Sequence, residues 1–333
     1  MNIDIVFVHT DSPLPSHLLF NLFRTRRYLP NHRVCLIYNR RSILSFFWRD
    51  KVYLKFDDDD NKVNEMYGYP KDFRHNFWFS SVGRFSLLAK YQSSINRSVL
   101  HIESDVIISR DFPIEEFQKI ETPFAYSIVS DNRAVASILF LKDAHSSHSL
   151  WEFSKEKIKS NSLSSDMEIL HDLWRETPKN VSVLPTAPKS LLRHKNELEQ
   201  NNHIFSGFFD GNDFGVFVVG TNPWNRRGVS ILHSRIEGSL LSFRENDVFY
   251  DKARRFPSIR DKDAYGKLYS FHITNKNPLF FVSQFSSIFL QLWIERLQKQ
   301  NKTFHPIVYL LMLYRSLVRR IFMIPKALQK YKS

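Results

Sequence analysis

Cysteine is nearly absent from this sequence of 333 residues, in which Cys35 is the only one. A single cysteine excludes an intrachain disulfide and a metal site built from several thiolates. Because Cys35 lies inside a strand-like run, a thiol nucleophile is not expected either. Glycine is also scarce, with 9 residues, and no lysine-containing phosphate loop of the Walker type occurs. This scarcity argues against a dinucleotide-binding fold that relies on several glycine-rich loops.

Positive charge is in excess, with 47 Lys and Arg against 34 Asp and Glu and a formal net charge of +13. Such an excess predicts a polyanionic partner: nucleic acid, an acidic membrane surface or an anionic substrate. Residues 296–333 carry most of it, because they include nine basic and no acidic residues. The apolar fraction of 43% is sufficient for a substantial core. The length suits one large α/β domain with an appendage, or two domains.

Short apolar runs alternate with helical patterns along the first part of the chain. Strand, helix and strand at this spacing predict βαβ units, and hence a mostly parallel central sheet flanked by helices. Residues 50–76, including the acidic run 57–60, are predicted to form a polar, irregular loop. The predicted strands are 3–9, 33–38, 98–102, 124–129, 136–141 and 181–184, and the predicted helices are 17–29, 77–94, 150–159 and 166–174.

Two carboxylates follow the predicted strand 98–102, in the triplet Glu103-Ser104-Asp105. Open α/β sheets bind their ligands at the carboxyl ends of their strands, which is where this triplet falls. Carboxylate oxygens suit Mg²⁺ or Mn²⁺, and such an ion stabilises the charge of a departing diphosphate. An isolated acidic triplet of this kind is more often a surface turn. The buried strand in front of it favours the metal site.

The same segment carries a resemblance to a known family. Arg84-Phe85 on a predicted helix, followed by SVLHIESDVIISRDFP from Ser98, resembles the core of GT-A-fold glycosyltransferases that use nucleotide sugars and build bacterial surface glycans. Further similarities, looser towards the end, continue at 136–142, 165–168, 209–215, 220–225 and 271–276, so the resemblance covers about residues 1–280. It implies a GT-A-like (Rossmann-like) catalytic domain over residues 1–276. A basic amphipathic helical segment, residues 277–333, would follow it.

The resemblance also implies roles for acidic and histidine side chains. Asp105 would be a direct metal ligand, while Glu103, which replaces the commoner Asp, would contact the metal or the ribose. Asp166 would face the donor sugar or orient the acceptor hydroxyl as a general base. His272 would complete the metal shell, a role for which His233 competes. Each residue also has a structural interpretation, in which Asp166 is an N-cap or first-turn residue of a helix and His272 is a structural or surface histidine.

Donor binding would involve further residues in the same family-based prediction. Thr10 and Asp11, after the first strand, would line the base and ribose, although Asp11 is also typical of a turn. Arg84 would hold the diphosphate or support the acidic motif, and Lys276 would contact the phosphates. The implied cofactor is Mn²⁺ or Mg²⁺, the expected donor is a UDP-sugar, and the acceptor is a glycan or a lipid-linked sugar.

The C-terminal segment has its own pattern. Residues 277–294 are uncharged but interrupted by Ser and Gln, and a second apolar stripe with interspersed arginines covers 307–321. These stripes predict amphipathic helices on an anionic membrane surface rather than membrane spans. A helical hairpin packed on the catalytic domain is the alternative. The beginning of the chain lacks a signal-peptide pattern, which predicts a cytoplasmic protein, peripheral on the inner face of the membrane.

Two other functions stay open at this point. A catalytically inactive sugar-nucleotide-binding or scaffold protein is one, because Glu103 departs from the family motif. A nucleic-acid-binding protein is the other, on the strength of the charge alone. No recognised nucleic-acid module occurs, and the basic residues are concentrated in an apolar-rich tail, so no nucleic-acid partner is predicted.

Overall fold

The computed structural model describes residues 3–10, 14–40, 43–69, 76–193, 203–220, 237–244, 247–260, 265–274, 276, 281, 290, 291 and 294. Its strands are β1 (Ile3–His9), β2 (Val34–Tyr38), β3 (Lys51–Tyr53), β4 (Ser98–Ile102), β5 (Val106–Ile108), β6 (Phe124–Ser130), β7 (Arg133–Leu141), β8 (Val181–Val183), β9 (Gly207–Phe209), β10 (Val248–Asp251), β11 (Phe256–Arg260) and β12 (Tyr265–His272). Its α-helices are α1 (Ser16–Tyr28), α2 (Asp58–Met66), α3 (Phe77–Ile95), α4 (Ala144–Ser160), α5 (Asp166–Glu176) and α6 (Asp213–Val219).

Seven strands form the large sheet, in the order β3-β2-β1-β4-β7-β6-β8. Only β7 runs against the others, because it pairs antiparallel with both β4 and β6. The predicted mostly parallel α/β sheet is therefore confirmed. The strands and helices predicted up to residue 184 agree with the structure apart from small shifts of their ends and the start of α4, which lies at Ala144 rather than at residue 150. Apolar side chains of β1 alternate between two core layers, with Leu18 of α1 in one and Phe85 of α3 in the other.

The prediction of an irregular loop over residues 50–76 is wrong. Its acidic run begins helix α2, where Asp57 caps the N-terminus in a reciprocal capping box with Asp60. Acidic side chains stabilise the first turn because they face the positive end of the helix dipole. Asp60 is also buried, and it accepts hydrogen bonds from Ser86 at 2.7 Å and Lys90 at 2.6 Å. Asp57 and Asp60 therefore have partners inside the fold, whereas Asp58 and Asp59 are exposed.

A second, five-stranded sheet was not anticipated. It has the order β10-β11-β12-β5, and β9 adds to β12. Strand β5 is its link to the large sheet, because β5 follows β4 after three residues and pairs antiparallel with the end of β12. Those three residues are Glu103, Ser104 and Asp105. The acidic triplet therefore lies at the junction between the two sheets.

Little of the C-terminal segment 277–333 falls within the described residues. Phe281, Leu290 and Ile294 do, and all three are buried in the same core as α3. No helix in the described part of the chain is long and apolar enough to cross a bilayer. The domain boundary at residue 276 and the amphipathic helices of the tail remain predictions.

Candidate active site

The backbone of the acidic triplet is held from several sides. The Asn21 side chain, on α1, donates hydrogen bonds to the carbonyls of Ser104 at 3.2 Å and Val106 at 2.7 Å. The amide of Glu103 donates to the carbonyl of Ser137 on β7 at 3.1 Å. The Asp105 carbonyl accepts from the amide of residue 273 at 2.7 Å. These bonds connect the triplet to α1 and to both sheets, so its backbone is fixed in place.

His272, the last residue of β12, approaches both carboxylates. Its Nε2 atom lies 3.3 Å from Asp105 Oδ1 and 3.9 Å from Glu103 Oε2. Lys276 approaches from the same side, with its Nζ 3.0 Å from Asp105 Oδ2. The structure thus brings together four residues predicted for the site, although 169 positions separate Glu103 from His272 in the sequence.

The donor set of Glu103, Asp105 and His272 fits a divalent cation. One ligand atom from each residue lies within 4.8 Å of the other two. Ligands bound to one octahedral ion at about 2.1 Å are roughly 3 Å apart when adjacent and 4.2 Å when opposite. The two measured histidine-to-carboxylate distances fall in that range. The two carboxylates and an imidazole would therefore need only small side-chain movements to hold a metal ion.

Arg84, on α3, lies behind this cluster and bridges two acidic groups. Its Nη1 atom donates to Glu103 Oε1 at 2.6 Å, and its Nη2 atom donates to Asp166 Oδ2 at 2.5 Å. Asp166 occupies the first turn of α5, where Ser165 and Glu168 form a capping box. Ser165 is therefore the N-cap, and Asp166 is the first-turn residue of the structural interpretation. Arg84 thus connects α5 to the acidic triplet, and its predicted contact with a diphosphate stays a prediction.

The charges of the cluster determine how it ionises. Burial favours the neutral carboxyl groups, but Lys276 and His272 outweigh it at Asp105 and hold its pKa well below the usual value. At Glu103, Arg84 and His272 likewise overcome burial and lower the pKa. Burial raises the pKa of Asp166, and the neighbouring Glu103 adds to the increase despite the ion pair with Arg84. The two carboxylates of the triplet are thus ionised and ready to bind a cation.

The protonation of His272 depends on the same neighbours. Burial lowers its pKa, but Asp105 and Glu103 have the larger combined effect, so its pKa is raised. His101, on β4, behaves differently. Burial lowers its pKa to about 3, and its Nδ1 lies 3.0 Å from the Val6 carbonyl, so it is a neutral core residue.

The sequence analysis gave no role to Asp210, which lies within one of the looser family similarities. This carboxylate is fully buried and accepts four backbone N–H bonds. Three come from the start of α6 at distances of 2.9 to 3.1 Å, from Asn212, Phe214 and Gly215. The fourth comes from the amide of His272 at 2.9 Å. Asp210 therefore sets the backbone position of the histidine, and its place in the segment FDGNDFG, ahead of a short apolar helix, was the available signal.

The remaining predicted residues are placed as follows. Thr10 follows β1, whose parallel neighbour β4 leads into the triplet, so Thr10 lies at the same edge of the sheet. Asp11 and His233 lie outside the described residues, as do residues 221–225 of the family resemblance. The competition between His233 and His272 is therefore not tested, although only His272 is placed beside the carboxylates in the described part.

Comparison with known proteins gives a likeness in fold only. No family model and no curated protein matches the chain. A galactosyltransferase, LgtC, solved with donor and acceptor sugar analogues, is similar at 15% identity and a TM-score of 0.40, covering 55% of this chain and 73% of LgtC. Mouse xyloside xylosyltransferase 1 is similar at 12% identity and a TM-score of 0.36, covering 56% of this chain and 86% of its own.

The similar structures extend beyond sugar transfer. A protein of Bacillus anthracis described as a glucose-1-phosphate thymidylyltransferase is similar at 12% identity and a TM-score of 0.34, covering 56% of this chain and 87% of its own. GT-A-type glycosyltransferases, the family that the sequence motifs resemble, are thus among the similar structures. At these identities and TM-scores, the similarity concerns only the backbone fold of part of the chain and does not identify the reaction.

Proposed function

We propose that this protein is a metal-dependent glycosyltransferase that moves a sugar from a nucleoside-diphosphate sugar to a glycan or lipid-linked acceptor. The observation that carries the proposal is the convergence of Glu103, Asp105 and His272 at the junction of the two sheets. A cluster of two ionised carboxylates and an imidazole at the carboxyl end of β4 has the position and the chemistry of a diphosphate-metal site.

Glu103, Asp105 and His272 would hold the cation, and Mn²⁺ suits them better than Mg²⁺. Mg²⁺ prefers oxygen ligands only, whereas the softer first-row ions accept an imidazole nitrogen. When bound, the ion would neutralise charge that develops on the diphosphate leaving group. Lys276, at 3.0 Å from Asp105, would add a second positive charge to the same phosphates.

Arg84 and Asp166 would act on the sugar side. Arg84 keeps Glu103 and Asp166 in fixed relative positions through its two ion pairs. Asp166, 8% exposed, would accept a hydrogen bond from a hydroxyl of the donor sugar or orient the acceptor. Thr10 and Asp11 would contact the base and ribose. A UDP-sugar donor, and attachment of the tail to the inner face of an anionic membrane, belong to the same proposal.

The direct test measures release of nucleoside diphosphate from a panel of nucleotide sugars with and without MnCl₂. We expect Mn²⁺-dependent release from at least one donor, and a fall of at least about a hundredfold in the Asp105→Asn variant. His272→Gln should weaken Mn²⁺ binding by about tenfold or more. Asp111→Asn is the matched control, because Asp111 pairs with Arg254 on the surface, away from the cluster. Full activity of Asp105→Asn, with unchanged thermal stability, would refute the site.

A second function, nucleotide-sugar binding without turnover, is favoured by one observation. Each carboxylate of the triplet already has a cationic partner, Arg84 at 2.6 Å for Glu103 and Lys276 at 3.0 Å for Asp105. A metal ion must share the carboxylates with these residues. Calorimetry distinguishes the two functions: tight binding of a nucleoside diphosphate with Mn²⁺, but no release from any donor, would support the non-catalytic protein.

A further inference from the structure

Exposed aromatic side chains are concentrated in one part of the molecule. Among the described residues, eight large hydrophobic side chains are exposed, and five of them lie between residues 20 and 53. Scattered exposed apolar residues need no explanation, but a cluster of aromatic rings marks an interaction site. We call these five residues the aromatic surface; their exposed fractions are Phe20 38%, Phe23 50%, Phe46 80%, Phe47 63% and Tyr53 40%.

Helix α1 and the short 3₁₀ turn Ile43–Phe47 carry four of these rings, and β3 carries Tyr53. Phe20 and Phe23 are three residues apart and therefore share one face of α1. The ring of Phe23 packs edge-on against Trp48, with centroids 5.3 Å apart, and Trp48 directly follows Phe47. Trp48 is itself buried, and its Nε1 donates to the Val34 carbonyl at 3.1 Å. The exposed ring of Phe23 therefore packs against a buried side chain whose position is fixed by a hydrogen bond.

Basic side chains lie beside the aromatic surface. Residues 12–56 contain nine Lys and Arg, of which Arg24 is buried, and one acidic residue, Asp50; the acidic run 57–60 follows directly. The Lys51 ammonium lies 5.4 Å from the ring centroid of Phe46, and the Lys55 ammonium lies 6.0 Å from that of Tyr53. Arg26 lies 5.5 Å from the Trp48 ring and also pairs with Asp50 at 2.8 Å. Cations are thus interleaved with the rings rather than set apart from them.

We propose that the aromatic surface docks on an anionic lipid bilayer. Phe side chains enter the boundary between headgroups and acyl chains, Tyr favours the membrane–water interface, and Lys or Arg beside them attract anionic headgroups. The charge complementarity favours lipid over a second copy of this chain, because two copies would bring like charges together. This surface is separate from the tail 296–333. Because Asn21 of α1 also holds Ser104 and Val106, docking would place the acidic triplet one helix away from the membrane.

A fluorescent label tests the surface independently of the tail. Cys35 is the only cysteine and is buried, so a Phe47→Cys variant can be labelled selectively with an environment-sensitive dye. With phosphatidylcholine vesicles containing phosphatidylglycerol, we expect a blue shift and quenching by lipid-attached nitroxides. The same dye in a Leu163→Cys variant, at a position 51% exposed, is the control and should show neither. Sedimentation with vesicles while the dye at position 47 remains in water would overturn the proposal.

Binding measurements give the second test. We expect the double substitution Phe46→Ser and Phe47→Ser to weaken binding to the anionic vesicles by about tenfold or more. Tyr265→Ser removes a ring that is 74% exposed elsewhere and should have no such effect. Binding should also weaken at high salt and on vesicles of phosphatidylcholine alone.

Other occupants of the surface predict different results, each of which overturns the proposal. If a second copy covers it, the double variant would convert a dimer to a monomer without a change in vesicle binding. If another part of the chain covers it, a dye at position 47 would be shielded from an aqueous quencher before lipid is added. Donor hydrolysis measured without membranes should be the same in the double variant and in the wild type. The docking surface and the proposed reaction can therefore fail separately.

Discussion

The two sheets contribute residues to the site through different kinds of strand pairing. Up to β4, the large sheet consists of parallel neighbours joined by helices that are close in the sequence, and it ends in Glu103 and Asp105. The small sheet is largely antiparallel, and its strand β12 pairs with β5, more than 150 residues earlier. It delivers His272. The three candidate ligands come from both sheets, so the candidate cation site lies at the junction of the sheets.

The two sheets also position their groups differently. On the side of the large sheet, the carboxylates are held by charge, because Arg84 pairs with Glu103 and Asp166. On the side of the small sheet, His272 is held through its backbone, by the buried Asp210. Substitutions of charged groups should therefore act mainly on the first side, and substitutions that move backbone should act mainly on the second.

The largest expected effect is on the charged side of this comparison. Arg84→Met leaves Glu103 and Asp166 buried without their shared partner. Removing one member of such a buried ion-pair network costs about 3–5 kcal/mol of unfolding free energy. Chemical denaturation should show this loss together with weakened Mn²⁺ binding. Arg97→Met is the matched control, because Arg97 is half exposed and lies 3.6 Å from Asp4, so its loss should cost about 1 kcal/mol or less.

The next effect concerns a buried acid of the small-sheet side. Burial raises the pKa of Asp213 to about 7, against hydrogen bonding by Ser239. An acid whose pKa is higher in the folded state is costly to ionise there, so the wild type loses stability as the pH rises from about 4 to 7. Asp213→Asn removes that loss. Because one pKa unit is about 1.4 kcal/mol, the variant should be roughly 2–4 kcal/mol more stable at pH 8.

Denaturation at pH 4 and pH 8 checks this prediction. At pH 4 the two proteins should have nearly equal stability, because the carboxyl group is protonated in the folded protein and carries little ionisation cost. If the variant and the wild type differed equally in unfolding free energy at pH 4 and at pH 8, the pKa of Asp213 would not be raised by burial. Asp213 would then be ionised at neutral pH, as Asp105 is.

The smallest of the three effects tests the backbone side directly. A Cβ atom at Gly215 would lie 2.1 Å from the carbonyl oxygen of His272, so Gly215→Ala must displace α6 or the end of β12. Overpacking of this kind costs about 1–3 kcal/mol of stability. Mn²⁺ affinity should fall by about tenfold or more if His272 is a ligand. If the variant lost stability but kept its affinity for Mn²⁺, His272 would not be a metal ligand.

Prediction from the sequence succeeded where neighbouring residues define the element. The strand Ser98–Ile102 and the placement of Glu103 and Asp105 at its end follow from a local apolar run. The helix at Asp58–Met66 was missed because its acidic first turn is as typical of a solvated loop. Asp210 was underrated for a different reason: one of its four hydrogen-bond donors, the His272 amide, is 62 residues away.

The sequence by itself determined the parallel half of the fold, the acidic triplet and the basic excess, because periodicity, strand ends and composition are local properties. Only the tertiary structure decided that His272 faces the two carboxylates, that Arg84 joins Glu103 to Asp166, and that five aromatic rings between residues 20 and 53 are exposed. Those arrangements depend on strand pairing and helix packing between distant segments. Their energies come from burial and from the removal of charges from water, which one-dimensional patterns do not encode.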